Sequence, residues 1–386
     1  MTVIADRRSE VDDASIVEQL SSARATGQSQ HGKNDKTTLF SVFEQFSWYP
    51  WVAENLFQPL LHDPRNDIFV LFTVEMLVLL IPSAAWLLVD FAYWRALVHI
   101  VLVLQFAGLF TSILHNSSHK KMYKVDWLNH VIPIVVGPFL GQTWNTYYYH
   151  HVKHHHVEDN GPNDLSSTLR FQRDNFFHFA NYFLRFLLFI VIELPAYFVK
   201  RGQYYNALMA AGGEMASFAL GVTLFRINPQ AAAVIFLIPL VIVRFGMMSG
   251  NWAQHSFIDQ VDPTSNYKSS VTCINHGYNR EAFNDGYHTS HHLNPHRHWS
   301  EHPTHLVREL PAYYTSRPIV FANIDFMGIW IQLMLNDYAK LAKLYVHLGP
   351  ESERPTEEQI IALLKSRTKS FTEEQIRKHY PERKTV

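Results

Sequence analysis

Histidine is the residue through which this chain can do chemistry. It carries 23 of them in 386 residues, and they are gathered in runs. His115-Asn-Ser-Ser-His119 puts two imidazoles at i and i+4, on one helix face, where both can converge on a point. His150-His151-Val-Lys-His154-His155-His156 and His288-Thr-Ser-His291-His292 each contain His-x-x-His-His, whose members at i, i+3 and i+4 also share a face. Neutral imidazole is the commonest metal ligand, so such faces offer two or three nitrogens to one or two ions. One zinc ion is filled by about four ligands, and eight or more histidines exceed that. Two ions in an all-imidazole shell fit the count. Imidazole suits iron and zinc alike, so ligand type leaves the metal open. The His-Glu-x-x-His of metalloproteases and the Glu-x-x-His pairs of soluble di-iron bundles are both missing. The single cysteine, Cys273, excludes a disulfide scaffold, a cysteine zinc finger and an iron–sulfur cluster.

Something must hold these runs together, and the apolar residues say what. With 33 Lys+Arg against 34 Asp+Glu there is no basic excess to neutralise a nucleic acid. An apolar fraction of 47% and mean hydropathy of -0.09 fit a globular protein, but the distribution does not. Ile68 to Val89 and Tyr93 to Leu114 are each about 22 residues, enough to cross a bilayer core, and only a short polar link parts them. Phe176 to Val199, Ala207 to Phe225 and Ala231 to Met248 follow, and a shorter run, Ile319 to Leu335, is interrupted by Asn323, Asp325 and Gln332. Residues 115–175 and the chain after Met248 are rich in Lys and Arg, which places both in the cytosol and requires an even number of spans between them. Phe176 to Val199 contains Asn181, Arg185, Glu193 and Pro195 and ends in Lys200-Arg201, so it is read as a helix on the membrane surface.

The expected fold is therefore an all-α polytopic membrane protein. Four transmembrane helices form two hairpins under a cytosolic helical cap that carries the histidine boxes. Residues 1–37 read as a disordered polar tail, 38–67 as an aromatic-rich interfacial segment and 68–310 as the membrane and catalytic domain. Residues 311–350 read as interfacial or peripheral helices. Residues 351–386 read as a charged, solvated tail with two short helices, Thr356 to Ser366 and Thr372 to Tyr380.

The three boxes, their order and their placement after paired spans resemble the membrane fatty acid desaturase superfamily, over roughly Ile68 to Pro303. That resemblance implies two non-haem irons, O2 as co-substrate and oxidation of unactivated C–H bonds in lipids. Asn251-Trp-Ala-Gln-His255 is similar to a further ligand pair of the acyl-CoA branch. The resemblance thus implies nine histidine ligands: His115, His119, His151, His154, His155, His255, His288, His291 and His292, with Asn251 acting through a water. With five histidines in the second box, His150 or His156 remains an alternative to a neighbour. No haem, flavin or nicotinamide motif is present, so a separate electron donor of cytochrome b5 or ferredoxin type is implied. The resemblance further implies an active site facing the cytosol, in the endoplasmic reticulum of a eukaryote or the plasma membrane of a bacterium.

The expected reaction is insertion of a double bond into a fatty acyl chain. A lipid hydroxylase of the same superfamily is the rival, since the outcome turns on placement of the chain. A metal transporter or buffer fits less well, because it would carry ionisable groups along the spans, and these hold only Glu75, His99, Glu214 and Arg244. Asp164 and Asp285 are candidates to orient ligating imidazoles, whereas Glu158 and Asp159 read as a solvated acidic loop. His296, His298, His302 and His305 read as surroundings of the third box. Trp144, Tyr147, Tyr148 and Tyr149 read equally as a substrate entrance and as an interfacial belt.

Overall fold

The computed structural model describes residues 47–381. The expected tail over 1–37 and the start of the 38–67 segment lie outside the described residues. Helix α1 (Asp67–Val89) and helix α2 (Tyr93–His119) form the first hairpin. The turn between them is closed by an Asp90–Arg95 ion pair, with the guanidinium 4.3 Å over the Trp86 ring. The two helices pack through Phe69, Met76, Phe110 and Ile113, all buried. Near its end, α2 folds its polar side chains back on itself: Thr111, Ser112 and Asn116 each donate to the carbonyl four residues earlier. An apolar helix can thereby finish in His115 and His119 without stranding polar groups.

Residues 126–140 return as three short helical turns packed on this hairpin. Gly141 ends them with φ 72, and a Cβ there would lie 2.2 Å from the Pro239 carbonyl oxygen, so only glycine fits. Helix α3 (Thr146–His150) follows and runs into a π-helical turn over His151–His155. Asp159 and Asn160, both at positive φ, stop the run.

Helix α4 (Phe176–Lys200) starts at Asn175, whose side chain accepts from the Phe177 and His178 N–H groups. It ends at Gly202, φ 69, with the Gly202 and Gln203 N–H groups closing on Val199 and Phe198 carbonyls. Helix α5 (Tyr204–Ile227) packs back on α4. Helix α6 (Ile238–Gln254) completes a continuous helical segment that begins at Pro229 and ends beside His255.

Among the described residues five helical segments, not four, are long and apolar enough to cross a membrane: α1, α2, α4, α5 and the segment ending in α6. The expectation of four such helices is corrected on that count, because α4 also qualifies by length and composition and engages several of its polar groups. Arg185 pairs with Glu193 at 3.0 Å along the same helix, and the Tyr182 hydroxyl donates to the Ser166 carbonyl. Its remaining exposed surface is apolar apart from Asn181 and the terminal Lys200. Phe177, Leu184, Leu188 and Ile192 are exposed on one side, while Phe179, Phe186 and Ile190 are buried on another.

The cap contains the only sheet among the described residues, a parallel pair of β1 (Val271–Ile274) and β2 (Ile319–Ala322), in register Val271↔Ile319. Helix α7 (His288–Leu293) packs on β1, and the Cys273 N–H bonds to the Gly286 carbonyl just before it. The sheet therefore positions the third box. Ile319 to Leu335, expected at the interface, is instead split into β2 and helix α8 (Phe326–Met334), with Val320, Phe321, Ile329 and Leu333 buried in the cap. The expectation of a solvated C-terminal tail is corrected as well. Helices α9 (Glu357–Arg367) and α10 (Glu373–His379) form where two short helices were expected, each with a capping box. They bury Ile360, Leu364, Phe371 and Ile376 against the cap.

One charged pair lies deep among the apolar helices. Arg244 of α6 contacts Glu214 of α5 at 3.2 Å, and the same carboxylate oxygen accepts from the Thr143 and Thr146 hydroxyls at 2.7 and 2.6 Å. The pair therefore clamps the turn that launches α3. A second clamp is steric, since a Cβ on Gly213 would lie 2.0 Å from the Trp144 carbonyl oxygen.

Candidate metal centre

The helix ends bring the boxes together. In a first cluster, five Nε2 atoms form a chain of contacts: His115 to His291 at 3.0 Å, His291 to His156 at 3.0 Å, His156 to His151 at 3.1 Å, and His151 to His119 at 3.1 Å. Each imidazole nitrogen offers one N–H or one lone pair. At most two of these four contacts can then be hydrogen bonds. Ligand nitrogens about 2.1 Å from a cation and at right angles would stand about 3.0 Å apart. The spacing fits five lone pairs aimed at one ion better than it fits a hydrogen-bonded chain.

The second cluster is made by His155, His255, His288 and His292. His288 Nε2 lies 3.2 Å from His255 Nε2 and 2.9 Å from His292 Nε2, and a ligand nitrogen of His155 lies within 4.8 Å of those of His255 and His292. Three of the four outer nitrogens of this cluster are held. His155 Nδ1 meets Asp164 Oδ2 at 2.6 Å, His292 Nδ1 meets Asp159 Oδ1 at 2.8 Å, and His255 Nδ1 meets the Ser269 carbonyl oxygen at 2.9 Å. An N–H donated from Nδ1 leaves the Nε2 lone pair facing inward, as a metal ligand requires. Asp159 thus touches a box histidine and is not merely part of a solvated loop. Glu158 behaves as ordinary structure, paired with Arg201 and accepting from the Tyr197 hydroxyl. Asp285 is more distant, 3.6 Å from His115 Nδ1.

Electrostatics favour the ligand state at several of these histidines, though not at His155, where burial is outweighed by Asp164 and the net shift is upward. Burial, reinforced by neighbouring imidazoles, pushes His151, His156, His288 and His291 well below the usual histidine range, and His255 down to about 3. Neutral imidazole binds metal and imidazolium does not. Burial also opposes a charge on Asp164, but the adjacent His155 prevails and holds its carboxyl below the usual carboxylate range.

Eight of the nine histidines singled out in the sequence lie in these clusters, and His154 lies in neither. Its Nε2 accepts the Leu165 N–H at 2.8 Å and its ring packs on Tyr197. His156 occupies the place expected for His154. The cause is the π-helical turn over His151–His155. Its wider winding brings i+4 and i+5, not i+3 and i+4, over His151. His150 and His154 approach Asp164 as a third group of possible ligands. That carboxylate is already engaged by His155 and by the Asn160 and Ser166 N–H groups, so the group serves as a shelf under His155.

The remaining candidates fall around the centre. Asn251 Nδ2 donates to the Ser166 carbonyl and the Tyr182 hydroxyl, which fixes its amide beside the second cluster. The Ser290 hydroxyl lies 2.9 Å from His302 Nδ1 and 3.3 Å from His305 Nδ1, beneath the third box. His298 is within hydrogen-bond distance of the Asn66 side chain, and His296 is exposed. Tyr147 stacks on His151, while Trp144 Nε1 donates to the Ile134 carbonyl.

A cavity of about 440 Å³ opens beside both clusters, between α2 and α6. His115, His151, His155 and His288 stand at one end, and Ala107, Ile242 and Val243 at the other. Its volume lies within the range of about 300–1,000 Å³ typical of small-molecule sites. Sequence reasoning did not find it, because its walls are apolar residues that read simply as span.

The family model described as Fatty acid desaturase matches residues 91–322, more than half of the chain. The matched region runs from the start of α2 to the end of β2 and includes every histidine of both clusters. No curated protein matches the chain.

Proposed function

The chain belongs to the fatty acid desaturase family, and on that premise we propose that it inserts a double bond into a fatty acyl chain at a centre of two non-haem irons. It is an integral membrane protein, and its family is one of oxidoreductases. The observation that carries the proposal is the pair of all-histidine clusters at the mouth of an apolar cavity. One ion would be held by His115, His119, His151, His156 and His291. The other would be held by His155, His255, His288 and His292, with Asn251 placed to hold a water beside it. The irons supply, with O2 and electrons from a separate cytochrome b5 or ferredoxin type donor, the oxidising power to remove hydrogen from a saturated chain.

The protein residues do the rest. The cavity seats the chain away from water, Tyr147 holds the His151 ring by stacking, and Asp164 and Asp159 fix the His155 and His292 tautomers. Of the five candidate helices we place α1, α2, α5 and the segment ending in α6 across the membrane and α4 along the interface, with the cap in the cytosol. Three contacts of α4 with the cap support this. Tyr182 donates to the Ser166 carbonyl, Phe186 packs on His150, and Tyr197 packs on His154. A helix touching the cap near its start, its middle and its end does not lead away from it.

Product analysis with isotopically labelled O2, a compatible donor and a series of saturated acyl substrates tests the reaction. A new double bond without label in the lipid is the expected result. Label in a lipid alcohol with no double bond would assign the protein to hydroxylation instead. Metal analysis should give two equivalents of iron per chain, and full activity with zinc alone would refute the metal assignment.

A further inference from the structure

Resting on the acyl-chain reading above, we propose that Gly246 and Gly250 set which chains the cavity admits, by leaving part of its wall without side chains. The two lie four residues apart on α6, hence on one helix face, and both line the cavity. Glycine is the least favourable residue but proline in a helix interior, so two of them one turn apart need a reason. Backbone conformation is not the reason, since neither has a positive φ. Packing is not the reason either, because a Cβ built on Gly246 or Gly250 meets no heavy atom within 4 Å. Several other glycines of this fold, two of them outside the cavity, are instead required by close packing. On Gly108, across the cavity, a Cβ would lie 2.9 Å from the Tyr278 hydroxyl oxygen, and on Gly213 and Gly141 it would run into backbone. What Gly246 and Gly250 provide is volume.

Their depth gives that volume a meaning. Along α6, Gly250 lies about 7 Å from His255 and Gly246 about 13 Å, at the usual helical rise. A chain oxidised beside His255 therefore passes Gly250 first and reaches Gly246 only if it is long enough. Ala107, Ile242 and Val243 are the apolar lining at that depth, which suits an unsubstituted hydrocarbon end. A side chain at 246 shortens the cavity, whereas one at 250 obstructs it for every chain.

The test compares the full-length protein with Gly246→Leu, Gly246→Ala and Gly250→Leu. Retention of tritiated saturated fatty acids of graded length by the purified, metal-loaded protein is measured beside product profiles in a lipid-fed host. Gly246→Leu is expected to keep the wild-type metal content and to lower retention of long chains about tenfold or more, with short chains unaffected, as befits rejected methylenes in an apolar pocket. Gly246→Ala should shift the same cut-off by less, and Gly250→Leu should depress every length. An unchanged length profile in Gly246→Leu overturns the proposal. Should that variant fail to hold metal, Gly246→Ala, which adds one methyl group and improves helix propensity, decides in its place, and an unchanged profile there overturns the proposal equally. A wild type that retains chains with the expected cut-off but yields no oxidised lipid refutes the reaction assignment and leaves this inference standing.

Discussion

His154 and His156 separate two accounts of the second box, and replacing each by alanine decides between them. His156 Nε2 stands 3.0 Å from His291 and 3.1 Å from His151, within the five-nitrogen cluster. Loss of a residue that merely orients a ligand costs about 10–100-fold in metal affinity, so loss of a donor nitrogen should cost at least the upper end of that range. His154 instead accepts the half-buried Leu165 N–H at 2.8 Å. Its removal strands that donor, a penalty of about 1–3 kcal/mol in stability with no ligand lost. The assay is metal content after dialysis against graded chelator, paired with thermal unfolding in mild detergent. His156→Ala should fall from two bound metals to one at chelator strengths that leave the wild type full. His154→Ala should keep both and unfold earlier. The reverse pattern, metal lost from His154→Ala and kept by His156→Ala, would refute the π-turn register and restore the 3.6-residue reading.

Other expectations follow from buried groups. Either Arg244→Leu or Glu214→Leu alone strands a charge among apolar helices and should destabilise the protein by about 3–5 kcal/mol, whereas the double variant should recover most of it. Thermal unfolding of the three proteins checks this, and an additive double variant would contradict it. Asp164→Asn should weaken metal retention about 10–100-fold, measured by chelator competition, because it removes the carboxylate from His155. Burial lowers His298 and His305 to about 4 each. The unfolded chain therefore takes up protons that the fold resists. The stability at stake is fully present above about pH 6.5 and is lost as pH falls toward about 4. His298 contributes a slope of at most about 1.4 kcal/mol per pH unit, and the more exposed His305 less. Denaturant titrations across that window should show this slope, and His298→Gln should flatten it.

The membrane helices were legible because 22-residue apolar runs have few alternatives, and the histidine boxes because spacing on a helix face fixes direction. What the sequence hid was local winding. The rule that put His154 beside His151 assumes a regular α-helix, and nothing in His151-Val-Lys-His154-His155 announces a π turn. Partnership was hidden too. Asp159 read as a loop acid because its mate, His292, is 133 residues away. Ile319 to Leu335 read as interfacial because a four-residue strand gives almost no periodic signal without its partner, β1. The cavity left no motif at all, only two glycines in a span.

Arg173 acts as a fastener between distant parts of the chain. Buried completely, it donates to the carbonyls of Thr168, Phe171, Ser256, Arg367 and Lys369. Two of those acceptors lie 194 and 196 residues further along the chain. The loop after the second box and the residue following His255 are thus tied to the segment that leaves α9, contacts of the long-range kind that form late in folding. On a ribosome the helical spans and all three boxes emerge well before Lys369 does. Until then this guanidinium lacks two of its partners, so the seal behind the second cluster closes only once that segment has been made. Nascent chains interrupted shortly before this point should carry every ligand and still hold their metal loosely.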